Sequence, residues 1–239
     1  MRRPATLRVL DIETIPEGLP RGWRTDDPER EIPIPDEVAP KMPKTYKVGS
    51  DKYVAENARR RLDAYRGWAL NPWRCEVVAV GWVDLVREGG IWSRGDRVSF
   101  AGGEAEVLAE CARAYLSGVP VGTWTTYDPR VLWARSVVQR LDLLRDHLAP
   151  VRFKGRWYVT DGRVLDLAAP FREIGDRKHY ALAPLARLLD LGAADVDGSD
   201  VADLWLLDDL DTLTEKPLQD ADLTAGILLR SGLLDEWIP

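Results

Sequence analysis

Residues 7–14 read Leu-Arg-Val-Leu-Asp-Ile-Glu-Thr, LRVLDIET. In an extended chain successive side chains alternate between faces, so Leu7 and Val9 fall on one face and Leu10 and Ile12 on the other. A strand that is apolar on both faces belongs in the middle of a sheet, covered from each side. Asp11 and Glu13 continue the line of Leu7 and Val9. Two carboxylates at the end of a buried apolar line repel each other and lose water. A divalent cation would relieve both costs, and an all-oxygen ligand set suits Mg²⁺ or Mn²⁺. The alternative is that the strand simply ends here with both side chains in solvent.

Outward from this strand, residues 15–49 change texture. They hold Pro16, Pro20, Pro28, Pro33, Pro35, Pro40 and Pro43 of the 16 prolines in the chain, among many charges. This reads as a long functional excursion rather than a linker between domains. A charged helix is expected over 50–70, with Val54, Ala58, Leu62, Tyr65 and Ala69 at helical spacing. Strands are expected over 76–82 and about 90–100, a helix over 104–116, a buried strand over 119–125 and a helix over 128–141 with Val131, Leu132 and Val138 on one face. A short strand over 164–167, a helix over 183–191 and a last helix over about 214–230, ending at Gly232, complete the pattern. Paired strands first and βα units afterwards indicate an α/β sheet of mixed direction with helices packed on it. The 239 residues are expected to form one domain, with the insertion at about 15–75 as an arm over one end.

Composition narrows the function. Thirty-three basic against 39 acidic residues give a net charge of −6, which excludes a histone-like binder driven by charge and leaves room for a local basic groove. No stretch approaches the ~20 apolar residues of a membrane span, and the first residues, MRRPATLRVLDIET, lack the apolar core of a signal peptide. Cys75 and Cys111 are the only cysteines, too few for a disulfide framework or a CxxC metal site, so a cytoplasmic location is expected. Neither GxxxxGK[ST] nor GxGxxG occurs, so no nucleoside-triphosphate or dinucleotide site is expected.

Two further acidic sites stand out. Tyr127-Asp128-Pro129-Arg130-Val131-Leu132 follows the strand VPVGTW. Asp128 with Pro129 after it suits a helix N-cap, yet Asp128 also lies on the stripe of Val131 and Leu132, which points it toward the sheet. Near the end of the chain, Asp220, Leu223, Thr224 and Ile227 recur at i, i+3, i+4 and i+7. Asp220 therefore faces the core, which is costly for a charge without a partner, while Asp222 points roughly the opposite way, as a solvated residue would. Both aspartates also suit the first turn of a helix, where the dipole favours carboxylates.

The ordered set of DIET at 11–14, YDPRVL at 127–132 and DxxxTxxIL from Asp220 resembles the DEDD 3′–5′ exonucleases of the ribonuclease H-like fold, in particular the exonucleases related to the proofreading domain of family B DNA polymerases, often encoded by phages and prophages. Beyond these motifs, DKYVAENARRRLDAYRGWALNPWRCEVVAVGW, VLDLAAPF, YALAPLARLLDLG and DGSDVADLW are similar to further segments of that family, so that residues 7–14 and about 45–232 are covered. The resemblance implies a mixed sheet of about five strands flanked by helices. It implies that Asp11, Glu13, Asp128 and Asp220 bind two Mg²⁺ or Mn²⁺ ions, about 3.5–4 Å apart in such centres. It implies removal of 5′-mononucleotides from the 3′ end of DNA, single-stranded or frayed. The family's water-orienting Tyr, four residues before the last Asp, or His, five before it, is replaced by Lys216 and Glu215. A protonated lysine cannot accept a proton but can hold a phosphate or water as a donor. The family's Asn-Gly before the middle motif is replaced by Thr123-Trp124-Thr125-Thr126.

Thr14, Trp124, Thr125 and Thr224, within or beside the motifs, are the candidate substrate contacts, and Trp157 is a second candidate for base stacking. Arg59–Arg61, Arg152, Lys154, Arg156, Arg172, Arg177 and Lys178, interleaved with Phe153, Tyr158 and Tyr180, have the composition of a single-strand groove, although each cluster is also what a solvated face looks like. His147 reads as a surface residue, and His179 as a structural residue or a replacement base. Loss of the Tyr or His leaves a second reading open: a ribonuclease H-like nucleic-acid-binding module without fast chemistry, acting through partners. An endonuclease of the same fold is a third.

Overall fold

Ala5–Pro16 forms the 12-residue strand β1 at the centre of a five-stranded sheet. It lies there because both of its faces are covered. Leu10 and Ile12 pack into one buried cluster with Val107, Leu108, Val131 and Leu132, while Leu7 and Val9 pack into another with Ala221, Ala225, Ile227 and Leu228. The computed structural model describes residues 5–27, 29–40, 42, 47–124, 126–153, 156–159, 164–174, 181–192 and 200–237.

The strands in chain order are β1, β2 (Cys75–Glu88), β3 (Ile91–Ala101), β4 (Val121–Thr123), β5 (Pro150–Phe153), β6 (Arg156–Val159) and β7 (Val164–Asp166). The main sheet has the order β3-β2-β1-β4-β7, and β5 and β6 pair separately as an antiparallel hairpin. β1, β2 and β3 are joined antiparallel, whereas β4 runs parallel to β1 and β7 parallel to β4. This is an α/β fold with a mixed sheet flanked by helices, consistent with the ribonuclease H-like arrangement.

The helices are α1 (Asp51–Arg66), α2 (Glu104–Leu116), α3 (Tyr127–Val138), α4 (Asp142–His147), α5 (Ala169–Ile174), α6 (Leu182–Leu188), α7 (Val201–Leu207), α8 (Leu210–Ser231) and α9 (Leu234–Trp237), with a 3₁₀ turn at Gly67–Leu70. Residues of α2 and α3 cover one face of the sheet, and residues of α8 and α6 cover the other. No helix among the described residues is long and apolar enough to cross a membrane.

Several boundaries differ from the sequence expectation. The strand expected over 119–125 is only Val121–Thr123. Of the stripe expected in the charged helix, Tyr65 is buried but Val54 is 59% exposed, and Val138 of α3 is likewise outside the core. α8 begins at Leu210 and continues through Pro217. The only helical bond Pro217 forgoes is the one its nitrogen would donate to the Leu213 carbonyl. Packing on the sheet holds the helix together across that gap.

The proline-rich excursion packs through a third cluster at the end of β1, where Leu19 and Val38 meet Ile15, Tyr65, Trp205 and Leu213. Backbone bonds pin it: Gly22 and Arg24 donate to the carbonyls of Trp205 and Leu206, and the Trp205 indole donates to Leu19. Arg61 of α1 donates to the carbonyls of Ile34 and Pro35. The segment is thereby held both by its apolar side chains and through its own backbone.

Candidate metal centre

Asp11 and Glu13 lie on the half of β1 beyond its pairing with β4, on the face toward α8. Asp220 comes from α8. Carboxylate oxygens of Asp11, Glu13 and Asp220 lie within 4.8 Å of one another, a grouping able to hold a metal ion. Like charges at about 4 Å repel by roughly 4 kcal/mol at an effective dielectric of about 20. The arrangement therefore calls for positive charge.

Asp128 belongs to the same electrostatic unit. It sits in the first turn of α3, directly after β4, and is 6% exposed. It is not the N-cap: the helix starts one residue earlier, at Tyr127, and Thr126 takes that place. Freed from capping, the Asp128 carboxylate faces the interior. Burial raises the pKa of Asp11 well above the ordinary carboxylate value, and the charge of Asp128 adds most among its neighbours, followed by Glu13 and Asp220. Burial also raises Asp128, with Glu13 and Asp220 adding to it. Glu13 is pushed up to about 7 by burial, against the lowering influence of Lys216.

Lys216 is buried at 4% exposure, one turn before Asp220 on α8. Its ammonium pairs with Asp220 and stands 3.5 Å from Glu13. Burial would depress its pKa, but the carboxylates of Glu13 and Asp220 outweigh this and hold it above the ordinary lysine value. Lys216 is therefore a protonated cation lodged against Glu13 and Asp220.

The close approach of α8 depends on Gly81, a residue the sequence reading passed over. Gly81 is the β2 partner of Asp11 across the ladder. A Cβ there would lie 2.4 Å from the Leu218 nitrogen and 2.7 Å from the Pro217 carbonyl carbon, so the helix backbone rests directly on this glycine. A glycine inside a strand pattern signals such an approach, and EVVAVGW carried that signal. On the opposite side, the Thr14 hydroxyl and the Tyr127 phenol both donate to the Ala69 carbonyl at 2.7 Å, tying the end of β1 and the start of α3 to the 3₁₀ turn.

The other candidate residues fall in different places. Thr14 lines a cavity of about 400 Å³ together with Arg66, Ala69, Leu70 and Ala202. Trp124, expected to stack on substrate, is instead 7% exposed and packs against Phe171 at a ring separation of 5.5 Å. It directly follows β4 and turns into the core beside Leu7 and Val9. Thr224 is 2% exposed within α8, also inside the core. Asp222 does point away from Asp220, as expected, but it is ion-paired: Arg94 of β3 donates to it at 2.8 Å. His147 is half-buried against the Tyr115 ring. Arg59 and Arg60 pair with Glu56 on their own helix, and Arg172 pairs with Asp166. Thr125, Lys154, Arg177, Lys178, His179 and Tyr180, and the side chains of Arg152, Phe153, Arg156, Trp157 and Tyr158, lie outside the described residues.

No known family model matches the chain, and no curated protein matches it.

Proposed function

We propose that this protein is a metal-dependent 3′–5′ exonuclease that removes 5′-mononucleotides from DNA, at single-stranded or frayed ends. The observation that carries the reading is the convergence of Asp11, Glu13 and Asp220 within 4.8 Å in the second half of the central strand of a mixed sheet, with Asp128 buried in the first turn of α3. The donors are all carboxylate oxygens, which fits Mg²⁺ or Mn²⁺ and not a thiolate-preferring metal. Bound there, such ions would supply the positive charge that polarises a phosphodiester and lowers the pKa of an attacking water.

The chain's own residues do the rest. Asp11, Glu13 and Asp220, held on β1 and α8, would fix an ion, with Asp128 of α3 as the fourth acid of the set. Lys216, being protonated, is a donor for a phosphate oxygen or the attacking water rather than a general base. Hydrolysis adds water across the P–O3′ bond, leaving a 3′-hydroxyl on the shortened strand and the phosphate on the released nucleotide. The cavity beside Thr14 is large enough for a terminal nucleotide.

The lodged ammonium favours one other reading, a nucleic-acid-binding module without fast chemistry. A single assay separates them: 5′-labelled single-stranded DNA and RNA with Mn²⁺, Mg²⁺ or EDTA, and Asp11→Asn as control. A ladder shortening stepwise, abolished by EDTA and by Asp11→Asn, is the expected result. Intact strands with either metal, bound tightly in EDTA by protein shown to be folded, would establish the module instead, and internal cuts would establish an endonuclease.

A further inference from the structure

Lys216 stands on the same acids that would hold the metal. Its ammonium pairs with Asp220 and lies 3.5 Å from Glu13, and its side chain is only 4% exposed, against 12% for Glu13 and 18% for Asp220. Those two acids and Asp11 are the three whose carboxylate oxygens lie within 4.8 Å of one another. Two of the three acids able to hold an ion therefore already hold a cation. A divalent ion seated on the grouping and an ammonium left in place would be like charges on shared carboxylates, with twice the repulsion of two single charges at the same distance.

The lysine can yield its place without any movement of the helix. Its backbone is fixed: the next residue, Pro217, rests on Gly81 of β2, where a Cβ would come within 2.7 Å of the Pro217 carbonyl carbon. Its side chain is a flexible four-carbon stem ending in a compact charge. Rotation of that stem alone takes the ammonium off Glu13 and Asp220. A displaced ammonium then needs another anion, since a charge in a buried place without a partner is strongly disfavoured. In the proposed reaction the anion at hand is the substrate phosphate.

We propose that Lys216 and the divalent ion compete for Glu13 and Asp220, and that a nucleic-acid phosphate decides the competition for the ion by accepting the displaced ammonium. Metal and substrate then bind cooperatively: the chain alone takes its ion weakly, and takes it more tightly once a phosphate is present. By linkage the metal tightens the phosphate by the same factor. The inference rests on the metal-dependent reading above and adds to it an internal competitor with a defined trigger. Lys216 is the counter-ion of the empty centre and the phosphate donor of the loaded one.

The test is calorimetric titration of the full chain with Mn²⁺, alone and with 5′-thymidylate, a product of the proposed reaction and so inert in it. Thymidine is the control without a phosphate. Lys216→Met keeps most of the stem and removes the charge. It is expected to bind Mn²⁺ about tenfold or more tighter than wild type, the scale on which groups around metal ligands change affinity. Thymidylate is expected to tighten Mn²⁺ binding by a larger factor in wild type than in Lys216→Met, and thymidine in neither. The comparison cancels any direct contact between metal and phosphate, which both chains share. Equal or weaker Mn²⁺ binding by folded Lys216→Met would overturn the competition and leave the nuclease reading standing. Equal factors with thymidylate would overturn the phosphate trigger. No Mn²⁺ bound by any folded chain, with thymidylate present, would overturn both readings. If Lys216→Met does not fold, the wild type still decides: an amine-acylating reagent read by mass spectrometry is expected to spare Lys216 in EDTA and to modify it with Mn²⁺, and protection in both would overturn the displacement.

Discussion

At Asp11, three features meet: its ladder partner Gly81, on which α8 rests, the grouping with Glu13 and Asp220, and the charge of Asp128. On the proposed nuclease reading, Asp11→Asn is expected to lower cleavage by on the order of 100-fold or more, at least the loss that follows removal of an outer partner of a metal ligand, with circular dichroism unchanged. The labelled-strand assay measures it. Gly81→Ala is expected to act through geometry. Its methyl would meet the backbone of Pro217 and Leu218 at under 3 Å, where no side chain can give way. Overpacking of this kind costs about 1–3 kcal/mol, and it moves Asp220 and Lys216 away from β1. Denaturant titration with a Mn²⁺-binding isotherm would show both losses together. At this scale the sequence was partly legible. Spacing put Asp11 and Glu13 on one face of a strand and Asp220 on the inward stripe of a helix, because a two-residue and a 3.6-residue period relate side-chain directions, and left open whether that strand face met solvent. The roles of Trp124 and Gly81 could not be read this way, because they depend on which element happens to lie opposite.

Among the elements, α8 does the most. It covers the Leu7 and Val9 face of β1 and carries Lys216 and Asp220 on the same side. The two helices opposite are locked by a buried ion pair. Arg135 of α3 binds Glu104 of α2 through two bonds of 2.6 and 2.7 Å, and Glu104 also accepts from the Val77 amide of β2 at 3.1 Å. Removing one partner of a buried pair strands the other, at a cost of about 3–5 kcal/mol. Arg135→Met is thus expected to lower stability by that amount and to loosen the helix that presents Asp128. Chemical denaturation measures the first effect, and Mn²⁺ affinity the second. Helix α2 was expected at 104–116 and is found at Glu104–Leu116, since Gly102-Gly103 before it and Ser117-Gly118 after it mark both ends locally. The start of α8 was missed by four residues because Pro217 reads locally as a first-turn residue, whereas contact with the sheet carries the helix through it.

For the whole molecule, the clustered acids set the pH dependence. Glu13 titrates near 7 when folded and near 4.5 in an unfolded chain. Between these values the folded state holds a proton that the unfolded state has released, so stability falls as pH rises through that window. Asp11 and Asp128 are raised as well and act with the same sign. The metal-free protein is expected to melt at a higher temperature near pH 5.5 than near pH 7.5. Mn²⁺ is expected to raise the melting temperature more at pH 7.5, where it competes with fewer protons. Scanning fluorimetry across that pH range, with and without Mn²⁺, checks both. Cys75 and Cys111 are free and buried, and burial pushes the Cys75 thiol up to about 12 and Cys111 up as well. Because the thiolate is the reactive form, a disulfide reagent at pH 8 is expected to label neither in the native protein and both in denaturant.

Taken alone, the sequence determined the α/β class, the central strand and most helices, because these follow from periodicity and from residues near each other in the chain. Only the tertiary structure decided that Asp128 is released from helix capping, that Trp124 turns into the core, that Asp222 is held by Arg94, and that Lys216 lies against Glu13 across more than two hundred residues of chain. Such facts are contacts between distant segments. Their energies depend on which surfaces meet, and no local period encodes that.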